Sequence, residues 1–309
     1  MSPTEKSPLV SVIITTFNRS KYLEECLDSI VNQTYRNIEV LVIDDGSEHE
    51  ISIVNKNLCS SYLKCIYFYK KNTGQPDSRN YGIQRSKGSY IAFCDDDDYW
   101  VIDKLEKQVN VLENNIEYGL VTGSIEYVNS DGTKTGNLKT HKGHNHGYIF
   151  KDLLIKNRTD SITPLLRREI FKKIGYFNTN FTIAEDWEFW RRVSYYYKFY
   201  FIDEVMAYVR LHDKNMSLSR KETVLERYKL YRKLTNSLLI WGEGRFSKKE
   251  KRHIEYIEWC HYRKLFSNNL SGLKRKSEFL IGLLINDYNN LFRILKLFVK
   301  YNKVRSKNK

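Results

Sequence analysis

A chain of 309 residues, 41% apolar and 28% charged, is long enough to bury a sizeable core and carry an appendage beside it; 15 glycines and 4 prolines are too few for a fibrous or wholly disordered protein. The net charge of +14 sits at one end: residues 221–309 hold 22 Lys and Arg against 8 Asp and Glu, while residues 1–220 hold 29 of each. A balanced front argues against an enzyme built around nucleic acid, and five cysteines without a CxxC pair argue against a disulfide framework or a structural zinc site.

The opening MSPTEKSPLV lacks the charged-then-apolar layout of a signal peptide, and the longest apolar run, Phe279 to Ile285, is too short to span a bilayer. A cytoplasmic protein is expected, with at most peripheral contact to the inner face of a membrane. From Leu9 to Thr15 the near-continuous β-branched run LVSVIIT predicts a strand buried on both faces. Leu23, Cys26, Leu27, Ile30 and Val31 follow helical spacing, with Ser20 as the expected N-cap. A second buried strand, IEVLVID at 38–44, runs into the turn Asp44-Asp45-Gly46-Ser47, and a third, CIYFY, covers 65–69. A short helix over about 78–86 is expected to end at Gly88, followed by the strand SYIAFC at 89–94, which runs directly into Asp95-Asp96-Asp97-Asp98. Alternation of strand and helix predicts an α/β fold with a mostly parallel, Rossmann-like sheet flanked by helices. Further strands, the polar loop HKGHNHG and a short helix near 149–156 follow. Phe171–Ile174 with Gly175 reads as a helix end, and Glu185-Asp186-Trp187 opens another helix with carboxylates in its first turn. After about 221 the pattern is helical, giving two expected domains, 1–220 and a basic helical extension, 221–309.

Ligands of such sheets collect beyond the carboxyl ends of the strands, where both acidic clusters fall. Consecutive aspartates at the end of a buried strand raise one another's pKa unless a cation neutralises them. Mg²⁺ or Mn²⁺ takes one or two carboxylates and completes its shell with water and phosphate oxygens, which points to a nucleoside diphosphate; a solvated acidic turn is the alternative. Asp44 and Asp45 face a base or ribose on one reading and build a turn on the other. Arg79 suits diphosphate or an aspartate through its planar fork. Asp186 reads from its place as a helix N-cap, and Trp187, Phe189, Trp190 and Tyr195–Tyr197 form an apolar ligand-facing surface or core. His141, His144 and His146 offer metal donors on a loop too soft to hold a rigid site. GxGxxG is absent after the first strand, which disfavours an ordinary dinucleotide site.

The blocks VSVIITTFNRSKYLEECLDSIVNQTY, IEVLVIDDGS and NTGQPDSRNYGIQRSKGSYIAFCDDDDYW, then GYFNTNFTIAEDWEFWRR and YVRLHDKNMS, resemble family 2 of the glycosyltransferases in order and spacing over about two-thirds of the chain. The resemblance implies a GT-A fold and inverting transfer of a sugar from a nucleotide sugar, UDP-linked by preference, to a glycan or lipid-linked glycan in cell-surface polysaccharide synthesis. It implies nucleotide-sugar contacts by Thr15, Phe17, Asp45, Arg79, Asp95, Asp96 and Arg210, metal ligation by Asp97 and His212, and general-base action by Asp186. Asp96 stands where many members carry a small residue, and Gln75-Pro76-Asp77-Ser78 replaces the usual Gly- and Ala-rich lead into Arg79. The competing readings are a nucleotidyltransferase, whose triphosphate loop after the first strand is missing, and an inactive glycan-binding module.

Leu291, Ile294, Leu295 and Phe298 make an apolar stripe beside a basic one of Arg293, Lys296, Lys300 and Lys303, the composition of an interfacial helix. Docking on an anionic leaflet is expected, with packing on the catalytic domain as the alternative. Flotation with anionic liposomes is expected for the full chain and not for a chain ending at Ile285; equal, negligible flotation of both refutes the anchor.

Overall fold

The computed structural model describes residues 7–140, 146–213, 215 and 223–268. The chain divides into two compact units, Met1–Asn215 and Met216–Lys309.

In the first unit β1 (Val10–Thr16) is buried at every position and forms the centre of a parallel group. It pairs with β2 (Ile38–Asp44) on one side and β4 (Tyr90–Asp95) on the other, and β2 carries β3 (Cys65–Tyr69) at the edge. A strand with neighbours on both sides and helices over both faces has no polar side to show, hence the unbroken apolar sequence. Among the described residues nine strands form one sheet, ordered β3-β2-β1-β4-β8-β6-β9-β5 with β7 on β6. The remaining strands are β5 (Tyr99–Trp100), β6 (Tyr118–Val128), β7 (Lys134–Lys139), β8 (Leu165–Arg167) and β9 (Lys198–Arg210). Parallel register dominates, but β8 inserts antiparallel between β4 and β6, so the simple winding stops at β4.

The first helix, α1 (Leu23–Val31), buries Leu23, Cys26, Leu27 and Ile30. Ser20 is not its cap: Tyr22 holds that position without a side-chain bond, and the Ser20 carbonyl accepts from the Leu23 N–H at 3.3 Å. Between β2 and β3 lies α2 (His49–Ser60), absent from the sequence-based expectation because it buries only Asn55 and Cys59 and leaves Ile53 and Val54 exposed. The next helix, α3 (Gln75–Arg85), begins earlier than expected. Pro76 falls in its first turn, where a missing N–H costs nothing. It ends at Ser86; Gly88 serves β1 instead, since a Cβ there would lie 2.6 Å from the Ser11 nitrogen.

α4 (Lys104–Asn114), α5 (Phe150–Ile155) and α6 (Glu169–Ile174) follow, the last capped by Gly175 at φ 85°. α7 (Glu185–Tyr196) carries the aromatic face, of which Trp187, Phe189 and Trp190 are core while Tyr195, Tyr196 and the following Tyr197 are half-buried. Trp190 and Phe189 are sealed from solvent, and the Phe189 ring lies 4.4 Å from Phe177 and 5.6 Å from Phe171. His146 stacks on Tyr200 at 4.1 Å and accepts the Phe201 N–H on Nδ1, which makes it a packing group; His141 and His144 lie outside the described residues.

The second unit is helical where described. α8 (Val224–Trp241) starts with a reciprocal capping box between Thr223 and Glu226, and α9 (Lys248–Asn268) follows. Tyr228 packs on Tyr262 at 4.7 Å and Tyr231 on His261 at 4.1 Å. No described helix is long and apolar enough to cross a membrane. The run at 279–285 and the stripe over 291–303 lie outside the described residues.

Candidate active site

Parallel pairing sets Thr16 beside Asp44 and Thr15 beside Asp95, so the ends of β1, β2 and β4 meet at one edge of the sheet. The acidic clusters that follow β2 and β4 are therefore neighbours by construction.

The first cluster builds the wall of the site. Asp44 is fully buried, accepting the Ser47 N–H on Oδ1 at 2.7 Å and the Tyr67 hydroxyl on Oδ2 at 2.7 Å. Asp45 accepts Lys70 Nζ at 2.6 Å and the Thr73 N–H at 3.0 Å on Oδ1, and the Gly74 N–H at 2.8 Å on Oδ2. A carboxylate offers about four acceptor positions, so Asp45 both pins the segment before α3 and keeps room for one more donor. Thr15 is buried, 3.4 Å from Gln75 Nε2, and the Phe17 ring is 46% exposed beside it.

In the second cluster each aspartate has its own partners. Asp95 Oδ1 accepts from Arg79 Nη2 at 3.0 Å and Gln75 Nε2 at 2.8 Å. Asp96 Oδ2 accepts the Thr16 hydroxyl at 2.6 Å, with Arg19 Nε 3.4 Å from Oδ1. Asp97 Oδ2 pairs with Arg19 Nη1 and lies 2.8 Å from His212 Nε2. Asp98 turns back to accept the backbone N–H of Arg210 at 3.0 Å. The four carboxylates are sheltered within the fold; they do not splay into water.

Two arginines organise this acid. Arg79, 2% exposed, reaches from Asp95 to Glu185 Oε1 at 2.9 Å and thereby ties the end of β4 to the start of α7. Arg210, also 2% exposed, supports the acidic loop from beneath: Nε donates to the Asp97 carbonyl at 3.2 Å, Nη1 to the Ser130 carbonyl at 3.2 Å, and Nη2 to Glu25. Its guanidinium also lies 4.6 Å from the Tyr22 ring, against which His212 stacks at 5.6 Å.

At the head of α7, Ala184 takes φ 58°, a left-handed conformation that a non-glycine residue adopts only where its surroundings impose it. The turn presents Asp186, whose Oδ2 accepts Asn157 Nδ2 at 2.9 Å and whose Oδ1 accepts the Trp187 N–H at 2.6 Å. Sequence reasoning missed Arg19, Gln75, Glu185 and Asn157. Arg19, Gln75 and Glu185 lie inside the quoted motifs, and the charge of Arg19 and Glu185 was a usable signal; Asn157 sits in a loop with none.

Among the described residues no group of three or more His, Cys, Asp or Glu side chains converges as a metal site. The Asp97–His212 pair supplies one oxygen and one nitrogen donor, which fits a divalent ion that completes its shell with water and phosphate oxygens.

Residues 11–175 match the family model described as glycosyl transferase family 2. The chain belongs to that family. An uncharacterized glycosyltransferase of Rickettsia typhi is 30% identical over 253 residues, covering 79% of this chain and 78% of the relative. The fold resembles that of S. aureus TarS 1-349 in complex with UDP-GlcNAc, with TM-score 0.64 and 20% identity over 89% of this chain and 79% of the other. It also resembles the mannosyltransferase PcManGT of Pyrobaculum calidifontis in complex with GDP-Man and Mn²⁺, with TM-score 0.60 and 16% identity over 95% and 86%.

Burial governs the acids of this family 2 glycosyltransferase. It pushes Asp96 up to about 8, with Arg19 opposing and Asp97 adding, and holds Asp98 well above the carboxylate range. Burial, helped by Glu185, pushes Asp186 up to about 7 against Arg79, the Asn157 hydrogen bond and its own helix N–H. A carboxylate whose folded pKa exceeds its unfolded value takes up a proton on folding, so stability is greatest at low pH and falls as pH rises through the folded pKa. Lys104, buried and lowered to about 7, gives the opposite slope only above that pH. The melting temperature of the chelator-treated protein is expected to fall between about pH 5 and pH 7, and to fall less in Asp186→Asn. A midpoint that rises across that interval would contradict the protonated acids.

Proposed function

We propose that this family 2 glycosyltransferase transfers a sugar, with inversion, from a nucleoside diphosphate sugar to a glycan or lipid-linked glycan of the cell surface. UDP is the favoured carrier. One observation carries the reading: Arg79 salt-bridges both Asp95 of the acidic loop and Glu185 beside Asp186, so donor end and acceptor end belong to one rigid charge network. Structural neighbours bound to UDP-GlcNAc and to GDP-Man with Mn²⁺ support it. Family membership sets the nucleotidyltransferase alternative aside.

In this reading Asp97 and His212 hold Mn²⁺ or Mg²⁺, which supplies Lewis-acid stabilisation of the departing diphosphate. Phe17 and Thr15 line the nucleotide, and Asp45 offers its remaining lone pair to a base N–H. Asp95 and Asp96 face the donor, with Asp95 held in place by Arg79. Arg210 keeps Asp97 and its loop in register. Asp186 accepts the proton of the attacking acceptor hydroxyl as that oxygen bonds to the anomeric carbon and the carbon–diphosphate bond breaks, its electrons leaving with the diphosphate. A base held at about 7 is matched to neutral pH, because it is half ionised yet still strong enough to take a proton. A lipid-linked acceptor would set the enzyme to work at the inner face of the membrane.

Thermal shift with UDP, GDP or dTDP at about 100 times Kd is expected to show roughly 2.7 kcal/mol of stabilisation for the correct nucleotide, and only with Mn²⁺ or Mg²⁺ present. Indifference to all three with both metals refutes the donor assignment. Asp186→Asn is expected to retain that shift while nucleotide release from the donor sugar slows by about 10²- to 10⁴-fold. In the unmodified enzyme the rate is expected to climb with pH and level off above about 7. A variant with most of its turnover would remove Asp186 from the chemistry.

A further inference from the structure

Arg19 occupies the place where the metal donors of this site converge. Its Nη1 bonds to Asp97 Oδ2 and lies 3.4 Å from His212 Nε2, so one nitrogen faces both atoms a divalent ion would use. Its Nε lies 3.4 Å from Asp96 Oδ1. Asp95 has Arg79 as its cation; Asp96 and Asp97 have Arg19.

The two arginines differ in freedom. The Arg79 side chain is 2% exposed, clamped between two carboxylates and within 6 Å of the Phe93 and Phe177 rings. The Arg19 side chain is 29% exposed. Its backbone, by contrast, is tied down: the Arg19 carbonyl accepts from Asn55 Nδ2 at 3.1 Å. Asn18 before it is locked at φ 49° by bonds to Ser47 Oγ and from the Glu48 N–H, both at 2.8 Å. A fixed backbone bearing a partly exposed guanidinium is a pivot: its charge can change partners by side-chain rotation alone.

We propose that Arg19 is an exchangeable counter-ion, which closes the Asp97–His212 pair in the metal-free enzyme and becomes a ligand of the donor diphosphate when a divalent cation takes that pair. The inference rests on the metal assignment made above. A guanidinium and a divalent ion drawing on one carboxylate oxygen repel each other, so occupation by one favours departure of the other. Arg19, tethered beside the site, then meets the phosphate oxygens that complete the ion's shell, and its planar fork suits them as well as it suited the carboxylate. Metal and nucleotide are thereby coupled. Metal without nucleotide leaves the arginine with Asp96 alone, and nucleotide without metal finds the arginine already engaged.

Titration calorimetry with Mn²⁺ alone, then with UDP and GDP in saturating Mn²⁺, tests the exchange in the full chain. Arg19→Gln is expected to bind Mn²⁺ about tenfold tighter than the unmodified protein and the nucleotide about tenfold more weakly. Arg19→Lys, which keeps the charge and loses the fork, is expected to return Mn²⁺ affinity to the original value and to recover nucleotide binding only in part. A crystal structure with Mn²⁺ and the bound nucleotide is expected to show the Arg19 guanidinium on a diphosphate oxygen. Equal Mn²⁺ affinity in Arg19→Gln and the unmodified protein, or Arg19 still on Asp97 in that crystal, overturns the exchange while leaving the metal assignment standing. No Mn²⁺ binding by either protein overturns both.

Discussion

Four carboxylates in succession at the end of a strand sealed inside a parallel sheet set the terms for everything around them. Left without partners they could not all ionise, because each pair of like charges at a few ångströms in a poorly solvated edge disfavours the charged form. The fold answers with a different device for each. Asp95 has the clamped guanidinium of Arg79, and Asp96 has the Thr16 hydroxyl and one flank of Arg19. Asp97 has the other flank of Arg19 and the His212 ring, and Asp98 has a backbone N–H of β9 and a pKa that burial holds well above the carboxylate range. Arg79 and Arg19 thus stand against Asp95, Asp96 and Asp97, while burial raises the pKa of Asp96 and Asp98 and favours their neutral forms.

The partners of these acids come from distant elements. The Arg79 side chain leaves α3, meets Asp95 at the end of β4 and continues to Glu185 at the start of α7, so that three elements share one ion-pair chain. Ala184, at φ 58°, opens α7 directly before Glu185, the residue this chain grips, and Asp186 follows it. Arg210 performs the equivalent service from β9, gripping the carbonyl of Asp97 while its own N–H caps Asp98. Rigid elements carry the acids and buried arginines fix their spacing, the condition a preorganised site requires.

Strands buried on both faces were legible in the sequence because burial leaves no polar alternation to confuse: β2 falls at its expected bounds and β1 and β4 within one residue, and the half-exposed edge strand β3, rich in aromatic residues, also falls at its bounds. Helices were legible only where one face is apolar. α1 shows that stripe, whereas α2 buries just Asn55 and Cys59 and left no periodic trace. The insertion of β8 between β4 and β6 joins residues 77 apart in the chain, Tyr90 and Arg167, which no local pattern encodes. At the site, the acids declared themselves by their crowding at a strand end. Of their counter-ions, Arg79 was named with an aspartate among its expected partners, whereas Arg19 went unread because its charge alone does not tell water, phosphate and a buried aspartate apart.

Asp45 shows how far such an arrangement can specify a ligand. Its carboxylate already receives Lys70, Thr73 and Gly74, and those bonds hold the segment leading into α3. On the proposed reading the position left over accepts one donor from the base. Uracil and guanine each present a ring N–H that would satisfy it, so Asp45 alone does not separate a UDP sugar from a GDP sugar. The segment is held from the other side by the turn after β2: Gly46 stands at φ 84°, and a Cβ there would lie 2.7 Å from the Asn72 nitrogen, so the turn and the segment that Asp45 pins pack too closely for any larger residue.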